Sequence, residues 1–154
     1  MSVPQPQAFV WRTRVYWEDT DGGGVVYYAN YLKFMERART EWLRSRGHSQ
    51  QELSRERGIV FAVASLTVEY RSPARLDDEL EVTCEPEPLG SASIGFAQRI
   101  YRIGPGGGTP GGGKAAPLLE ANVRVACVDA RTLRPQRLPS FLTEVIARET
   151  AAGG

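Results

Sequence analysis

The sequence predicts an α+β fold, and three observations carry the prediction. Residues 30–46 show the 3.6-residue apolar period of one long amphipathic helix. One strand-like run precedes this helix and four more follow it in close succession. The breaks at 75–78 and 86–90 are short enough for antiparallel hairpins, whereas a parallel sheet needs long crossovers.

Each element follows from its residues. Residues 1–8 form a polar, proline-containing tail with neither the basic nor the apolar region of a signal peptide. From Phe9 to Trp17, Phe9, Trp11, Thr13, Val15 and Trp17 alternate with Val10, Arg12, Arg14 and Tyr16, a strand with one largely apolar face. Gly22-Gly-Gly24 then breaks regular structure. In the helix, Tyr31, Phe34, Met35, Ala38 and Trp42 form the buried stripe, with Leu32 and Leu43 beside it. Asn30 reads as the N-cap, and Gly47 sits where a left-handed C-cap is wanted. Glu36 with Arg39, and Arg37 with Glu41, read as ion pairs on the wet side. One more helical turn is expected near Gln50–Arg57.

Val60, Ala62, Ala64, Leu66, Val68 and Tyr70 read as one continuous apolar face of a second strand. Leu80, Val82 and Cys84 mark a third. Ala92–Ile103 and Leu118–Val128 complete the set, and Pro139–Arg148 reads as a closing helix bearing Phe141, Leu142, Val145 and Ile146. The domain therefore runs over 9–149, with a Gly/Pro-rich hairpin loop at 104–114 and a flexible tail at 150–154. One helix cannot cover five strands, so association with further copies is expected.

Composition removes several function classes. There is one histidine, His48, and two cysteines, Cys84 and Cys127, without C-x-x-C or H-x-x-x-H spacing, which argues against a Cys/His metal site. A Ser–His–Asp triad would have to use His48, which follows the helix C-cap in a polar stretch and reads as a surface residue. Acid–base chemistry then falls to a carboxylate. The net charge of +1 supplies no field to recruit nucleic acid. No apolar run is long enough for a membrane span, and the isolated cysteines read as reduced core residues of a cytoplasmic protein.

Two glycine clusters invite comparison with phosphate-binding loops. The 104–113 cluster holds seven of the sixteen glycines and spells G-x-x-x-x-G-K from Gly108 to Lys114. Ala115 then stands where magnesium needs Ser or Thr, and the segment joins two strands, so it reads as a flexible hairpin loop. The second cluster, Asp19-Thr-Asp21-Gly-Gly-Gly24, places two carboxylates and a permissive turn just before a helix start. Free N–H groups and partial positive charge at that start would stabilise an oxyanion, with a carboxylate as nucleophile or general base. An ordinary acidic turn fits the same spacing, and spacing does not choose between Asp19 and Asp21.

The run from Val15 to Arg44, containing Asp19-Thr-Asp-Gly-Gly-Gly-Val-Val-Tyr-Tyr-Ala-Asn30 and Glu36-Arg-Ala-Arg-Thr-Glu-Trp-Leu-Arg44, resembles the hotdog-fold acyl-CoA thioesterases related to 4-hydroxybenzoyl-CoA thioesterase. The second segment resembles the branch associated with the Tol–Pal system. Leu66–Leu80, Val125–Asp129 and Arg134-Pro135 agree, so the resemblance spans about residues 9–142. It implies a curved antiparallel sheet wrapped around one helix, with homodimers joined edge to edge and commonly paired into homotetramers. It implies Asp21 as the catalytic acid and the Tyr28 backbone N–H as the donor to the thioester carbonyl. Asn30 and Glu36 match positions near the acyl pocket. Many relatives carry His where Tyr28 stands, and the basic cluster that grips CoA phosphate has no counterpart before Ile94, where Gly90-Ser-Ala-Ser93 stands instead. The CoA phosphates would then be held by other arginines, Arg71 and Arg75 being the candidates, or be left in solvent. The expectation is hydrolysis of acyl-CoA, or of an acyl-carrier thioester, without metal or cofactor, CoA being part of the substrate. The alternatives are a non-catalytic hotdog module that binds acyl thioesters or scaffolds partners, and a hydratase, which would want an Asp/His pair within the motif.

Overall fold

The computed structural model describes residues 8–104 and 116–153. Most of the expected N-terminal tail and nearly all of the 104–114 loop fall outside the described residues. The elements run β1 (Val10–Arg14), a 3-10 turn (Trp17–Asp19), α1 (Asn30–Ser45), α2 (Gln50–Arg57), β2 (Ile59–Tyr70), β3 (Glu79–Thr83), β4 (Glu85–Pro88), β5 (Ser93–Arg102), β6 (Leu119–Asp129) and α3 (Ser140–Gly153). All strand pairs are antiparallel, in the order β1-β3-β5-β6-β2. Strand β4 continues β3 along β5: Val82 faces Ile100 and Glu85 faces Ala97, one register interrupted at Cys84. The five predicted strand runs are all present.

Two expectations about β2 fail. The alternation from Val60 to Tyr70 is not one face, because Val63 pairs with Val125 while Ser65 pairs with Arg124. Ala64 is the extra residue of a β-bulge. Phe61 and Val63 therefore share a face with Leu66, Val68 and Tyr70, opposite the buried Cys127, Val125, Val123, Ala121 and Leu119. Nor does 75–78 close a hairpin. Strand β2 pairs along its length with β6, so the chain crosses from that edge to the far side of the sheet before β3 begins. On the way, residues 74–76 pair with 24–26 instead: Val26 N–H donates to the Ala74 carbonyl (2.8 Å) and Leu76 N–H to the Gly24 carbonyl (3.3 Å).

Helix α1 buries the predicted stripe of Tyr31, Phe34, Met35, Ala38 and Trp42 together with Leu43. It packs on Leu80, Val82, Phe96 and Ile100 of the sheet, with the Trp42 and Phe96 rings edge to face at 5.4 Å. Its C-terminus closes as expected: Gly47 adopts φ 94°, its N–H reaching the Arg44 carbonyl while His48 N–H reaches Leu43. The surface ion pairs differ from expectation. Arg39 lies beside the buried stripe and turns inward, donating to Gln98 Oε1 (3.0 Å), while Thr40 donates to Glu36 and Glu41 pairs with Arg44. Burial holds the Arg39 guanidinium below its usual value.

Helix α2 is two turns long, capped by Ser49 and ended by a left-handed Gly58. His48 is half-buried and stacks on Phe141 at 3.8 Å, so it is not a free surface residue. Helix α3 begins after Pro139 as expected but continues to Gly153, past the predicted end at 148. Glu149 explains part of the extension, since it accepts from the Trp42 indole N–H (3.0 Å) and pairs with Arg46. Cys84 and Cys127 are buried free thiols, as expected.

Candidate functional site

The loop between β1 and α1 is built from backbone hydrogen bonds. Asp21 N–H donates to the Val25 carbonyl (2.8 Å) and Gly24 N–H to the Asp21 carbonyl (3.2 Å). Gly24 at φ 80° closes this turn in a conformation that L side chains rarely adopt. The exposed Asp21 carboxylate lies over the turn: its Oδ1 accepts from Gly23 N–H (2.8 Å) and, at longer range, from Val25 N–H (3.4 Å). Its second oxygen accepts from none of the described residues. A Cβ on Gly23 would lie 3.3 Å from that same Oδ1.

Asp19 is occupied differently. Its Oδ2 caps the 3-10 turn by accepting from Tyr16 N–H (2.8 Å), and its carbonyl accepts from both Tyr27 N–H (3.1 Å) and Asn30 Nδ2 (2.9 Å). It is therefore a structural tie between the turn and the helix start. The N-cap position belongs to Ala29, which makes no side-chain cap, so Asn30 is the first helical residue and not the cap expected. Its amide reaches back to Asp19 because the turn brings that carbonyl within range.

Tyr28 stands at the mouth of the helix with its side chain exposed. Among the described residues, no acceptor takes its backbone N–H. This leaves an unclaimed donor at the positive end of α1, a few residues along the chain from a carboxylate held by one oxygen. In chemical terms, such a pair can polarise a carbonyl and present a nucleophile or base to it.

Glu36 lies two turns further along α1. With Arg39 and Val63 it lines two adjoining spaces between α1 and the sheet, a groove of about 420 Å³ reaching Leu32 and a smaller cavity of about 110 Å³ reaching Trp42. Asp21 and Tyr28 line neither. Arg75 is brought to the loop, its backbone bridging to Val25. Arg71 is not: its guanidinium lies between Glu120 (2.6 Å) and Glu69 (2.9 Å), in a chain of charges that continues to Arg99. Those carboxylates hold Arg71 above its usual value, Glu120 foremost.

Sequence reasoning missed Tyr70 and Gln98. The Tyr70 hydroxyl donates to the Tyr28 carbonyl (2.9 Å), and its ring stands edge-on to those of Tyr28 and Tyr31. Fully buried Gln98 donates to the Met35 and Thr83 carbonyls while accepting from Arg39. A glutamine in phase with Ile94, Phe96 and Ile100, the apolar face of its strand, was the available signal.

The antiparallel sheet packed on one long helix is the layout that the hotdog resemblance implied. Residues 23–108 match the thioesterase superfamily model, a span that begins two residues beyond Asp21, and the chain belongs to that family. It is 47% identical over 134 residues to the acyl-CoA thioester hydrolase YbgC of Escherichia coli O6:H1, covering 87% of this chain and 92% of the relative. It is 43% identical over 131 residues to the acyl-CoA thioesterase YbgC of Haemophilus influenzae, covering 85% of this chain and 88% of the relative. The fold is shared with 4-hydroxybenzoyl-CoA thioesterase from Pseudomonas sp. strain CBS-3, with a TM-score of 0.79, 22% identity, and coverage of 91% of this chain and 99% of that one.

Proposed function

We propose that this chain hydrolyses acyl-CoA thioesters to free acid and CoA thiol, with Asp21 as nucleophile or general base and the Tyr28 N–H as donor to the thioester carbonyl. The observation that carries this reading is the contrast between the two acids. Each carboxylate is anchored through one oxygen. Asp19, however, is partly buried and its carbonyl ties Tyr27 and Asn30 to the turn, whereas Asp21 stands exposed over the glycine turn with no such tie to the helix start. Attack at the carbonyl carbon breaks the C–S bond. The negative charge gathering on the carbonyl oxygen is met by the helix start, where a single aligned N–H is worth on the order of 10²–10³ in rate.

Asn30 serves the site by tying the helix start to Asp19, and Glu36 lies at the groove offered to the acyl chain. Arg75 is the better placed of the two arginines for CoA phosphates, because Arg71 already carries two carboxylates. No resident metal or cofactor takes part. Among the described helices none is long and apolar enough to cross a membrane. We assign the protein to the cytoplasm as a homodimer or homotetramer, supported by the outer strand β2, where Val63 is 47% and Leu66 39% exposed. The resemblance of 36–44 supports a Tol–Pal association.

The test is release of CoA thiol, followed with a thiol-trapping dye, across short aliphatic, long aliphatic and aromatic CoA esters. Asp21→Asn should lower turnover about 10²–10⁴-fold on every ester accepted, while Asp19→Asn should mainly lower Tm. Near-native turnover by Asp21→Asn would sink the assignment. Binding of the esters without any thiol release by the native protein would leave a non-catalytic module.

A further inference from the structure

We propose that Tyr70 is a positioning residue for this reaction: reaching from the end of β2, its hydroxyl holds the Tyr28 carbonyl and so fixes the direction in which the Tyr28 N–H points. The proposal rests on the assignment of that N–H as the donor to the thioester carbonyl.

The Tyr28 N–H lies in the plane of the 27–28 peptide and the Tyr28 carbonyl in that of the 28–29 peptide, so holding both planes limits rotation at Tyr28 and with it the direction of the N–H. On one side, the Tyr27 carbonyl, which lies trans to the Tyr28 N–H, accepts from Asn30 N–H at 2.8 Å, and Tyr27 N–H is held by Asp19. On the other side, the Tyr28 carbonyl precedes the Ala29 N-cap and so lies outside the helical ladder, where no i+4 N–H is due to it. Leu32 N–H turns to the Ala29 carbonyl at 3.2 Å, and no backbone N–H among the described residues reaches the Tyr28 carbonyl. The Tyr70 hydroxyl donates to it at 2.9 Å.

The phenol that does this is well anchored. Tyr70 lies opposite Leu119, which is fully buried, in the β2–β6 ladder. Its ring stands edge-on to Tyr31 at 5.7 Å and to Tyr28 at 6.3 Å. Tyr31 is itself fixed, being buried with its hydroxyl accepting from Ala74 N–H at 2.9 Å. The sheet thus sets the pose of an otherwise exposed residue at a helix mouth through one side chain.

Tyr70→Phe keeps the ring and removes the hydroxyl. Misplacing a reacting group by about 1 Å can cost about 10²-fold, so partial loosening of this peptide should lower kcat about tenfold. KM and Tm should stay at native values, since neither substrate nor core is touched. A second readout isolates the carbonyl. Benzoyl-CoA bound to Asp21→Asn should show its thioester C=O stretch lowered relative to free benzoyl-CoA, and adding Tyr70→Phe should move it back toward the free value. An unchanged kcat would overturn the proposal, as would a raised KM at constant kcat, which would make Tyr70 a substrate contact. So would a lowered Tm with kcat per folded chain intact. A carbonyl shift present in Asp21→Asn and unaltered by Tyr70→Phe overturns the Tyr70 proposal alone. No shift in Asp21→Asn overturns the Tyr28 assignment beneath it.

Discussion

Replacing Gly23 by Ala separates stability from activity, and the structure gives the size of both effects. Gly23 is not in the left-handed region, so its backbone accepts a side chain without strain. The Gly-to-Ala change then reduces the freedom of the unfolded chain, which is worth about 0.4–1 kcal/mol of added stability. The new Cβ, however, would stand 3.3 Å from Asp21 Oδ1, tighter than ordinary contact, and the carboxylate is the part that can give. Relief takes a few tenths of an ångström. If 1 Å of misplacement costs about 10²-fold, or about 2.7 kcal/mol, then 0.3 Å costs ~0.8 kcal/mol, about fourfold in kcat. Gly22 is the internal control: a Cβ there meets nothing within 4 Å, so Gly22→Ala should raise Tm and leave turnover at the native value. Gly24→Ala, at φ 80°, should lower Tm. The assay is thermal melting paired with CoA-thiol release under saturating ester. Equal turnover for Gly22→Ala and Gly23→Ala would refute the argument that Gly23 is kept small for the carboxylate.

Three further outcomes are expected. Asn30→Ala loses one buried-side hydrogen bond to the Asp19 carbonyl and should cost about 0.5–1.5 kcal/mol in chemical denaturation, with kcat falling as well; native kcat would show that this tie does not serve the site. Burial pushes both the Cys84 and Cys127 thiols up, so the folded protein should give no reaction with a thiol dye near pH 8 and two thiols once denatured; prompt labelling of the native protein would contradict the buried placement. The Asp129 carboxylate is held below its usual value by the Thr132 and Arg131 N–H groups, so its contribution is present above about pH 4 and lost as pH falls through the lowered value. The Tm advantage of the native protein over Asp129→Asn should therefore be full at neutral pH and shrink in acid; an advantage that grows in acid would reverse the sign.

What the sequence made legible was whatever repeats locally. The stripe from Tyr31 to Trp42 has a single period and buries as read, and Gly47 ends the helix where a left-handed residue was wanted. Strand β2 was harder, because Ala64 shifts the side-chain phase without leaving any compositional mark, and an alanine suits either face. Pairing partners were harder still. A short connection at 71–78 looks the same whether it turns back on β2 or carries the chain across to β3, and the difference lies in a β6 nearly fifty residues away. At the site, spacing found both acids and could not separate them. Each accepts a backbone N–H on one oxygen, and their difference is one of exposure and of the Asp19 carbonyl, which Tyr27 and Asn30 reach only because the turn folds back on the helix start. Tyr70 could not be connected to Tyr28 at all without the fold, since 42 residues separate them in the chain.

The cross-links between 24–26 and 74–76 give the acid-bearing turn a particular place in the folding order. The glycine turn is stitched to the segment that carries the chain from one side of the sheet to the other, through Val26 to Ala74 and Leu76 to Gly24. Until β2 has found β6 and the crossing has been made, the turn has nothing to be stitched to. The site is therefore a late product of assembly, and it opens when the crossing opens. The Val26 and Leu76 amides should exchange with solvent deuterium as one unit, and a chain that has misthreaded the crossing should be a folded sheet with no turnover.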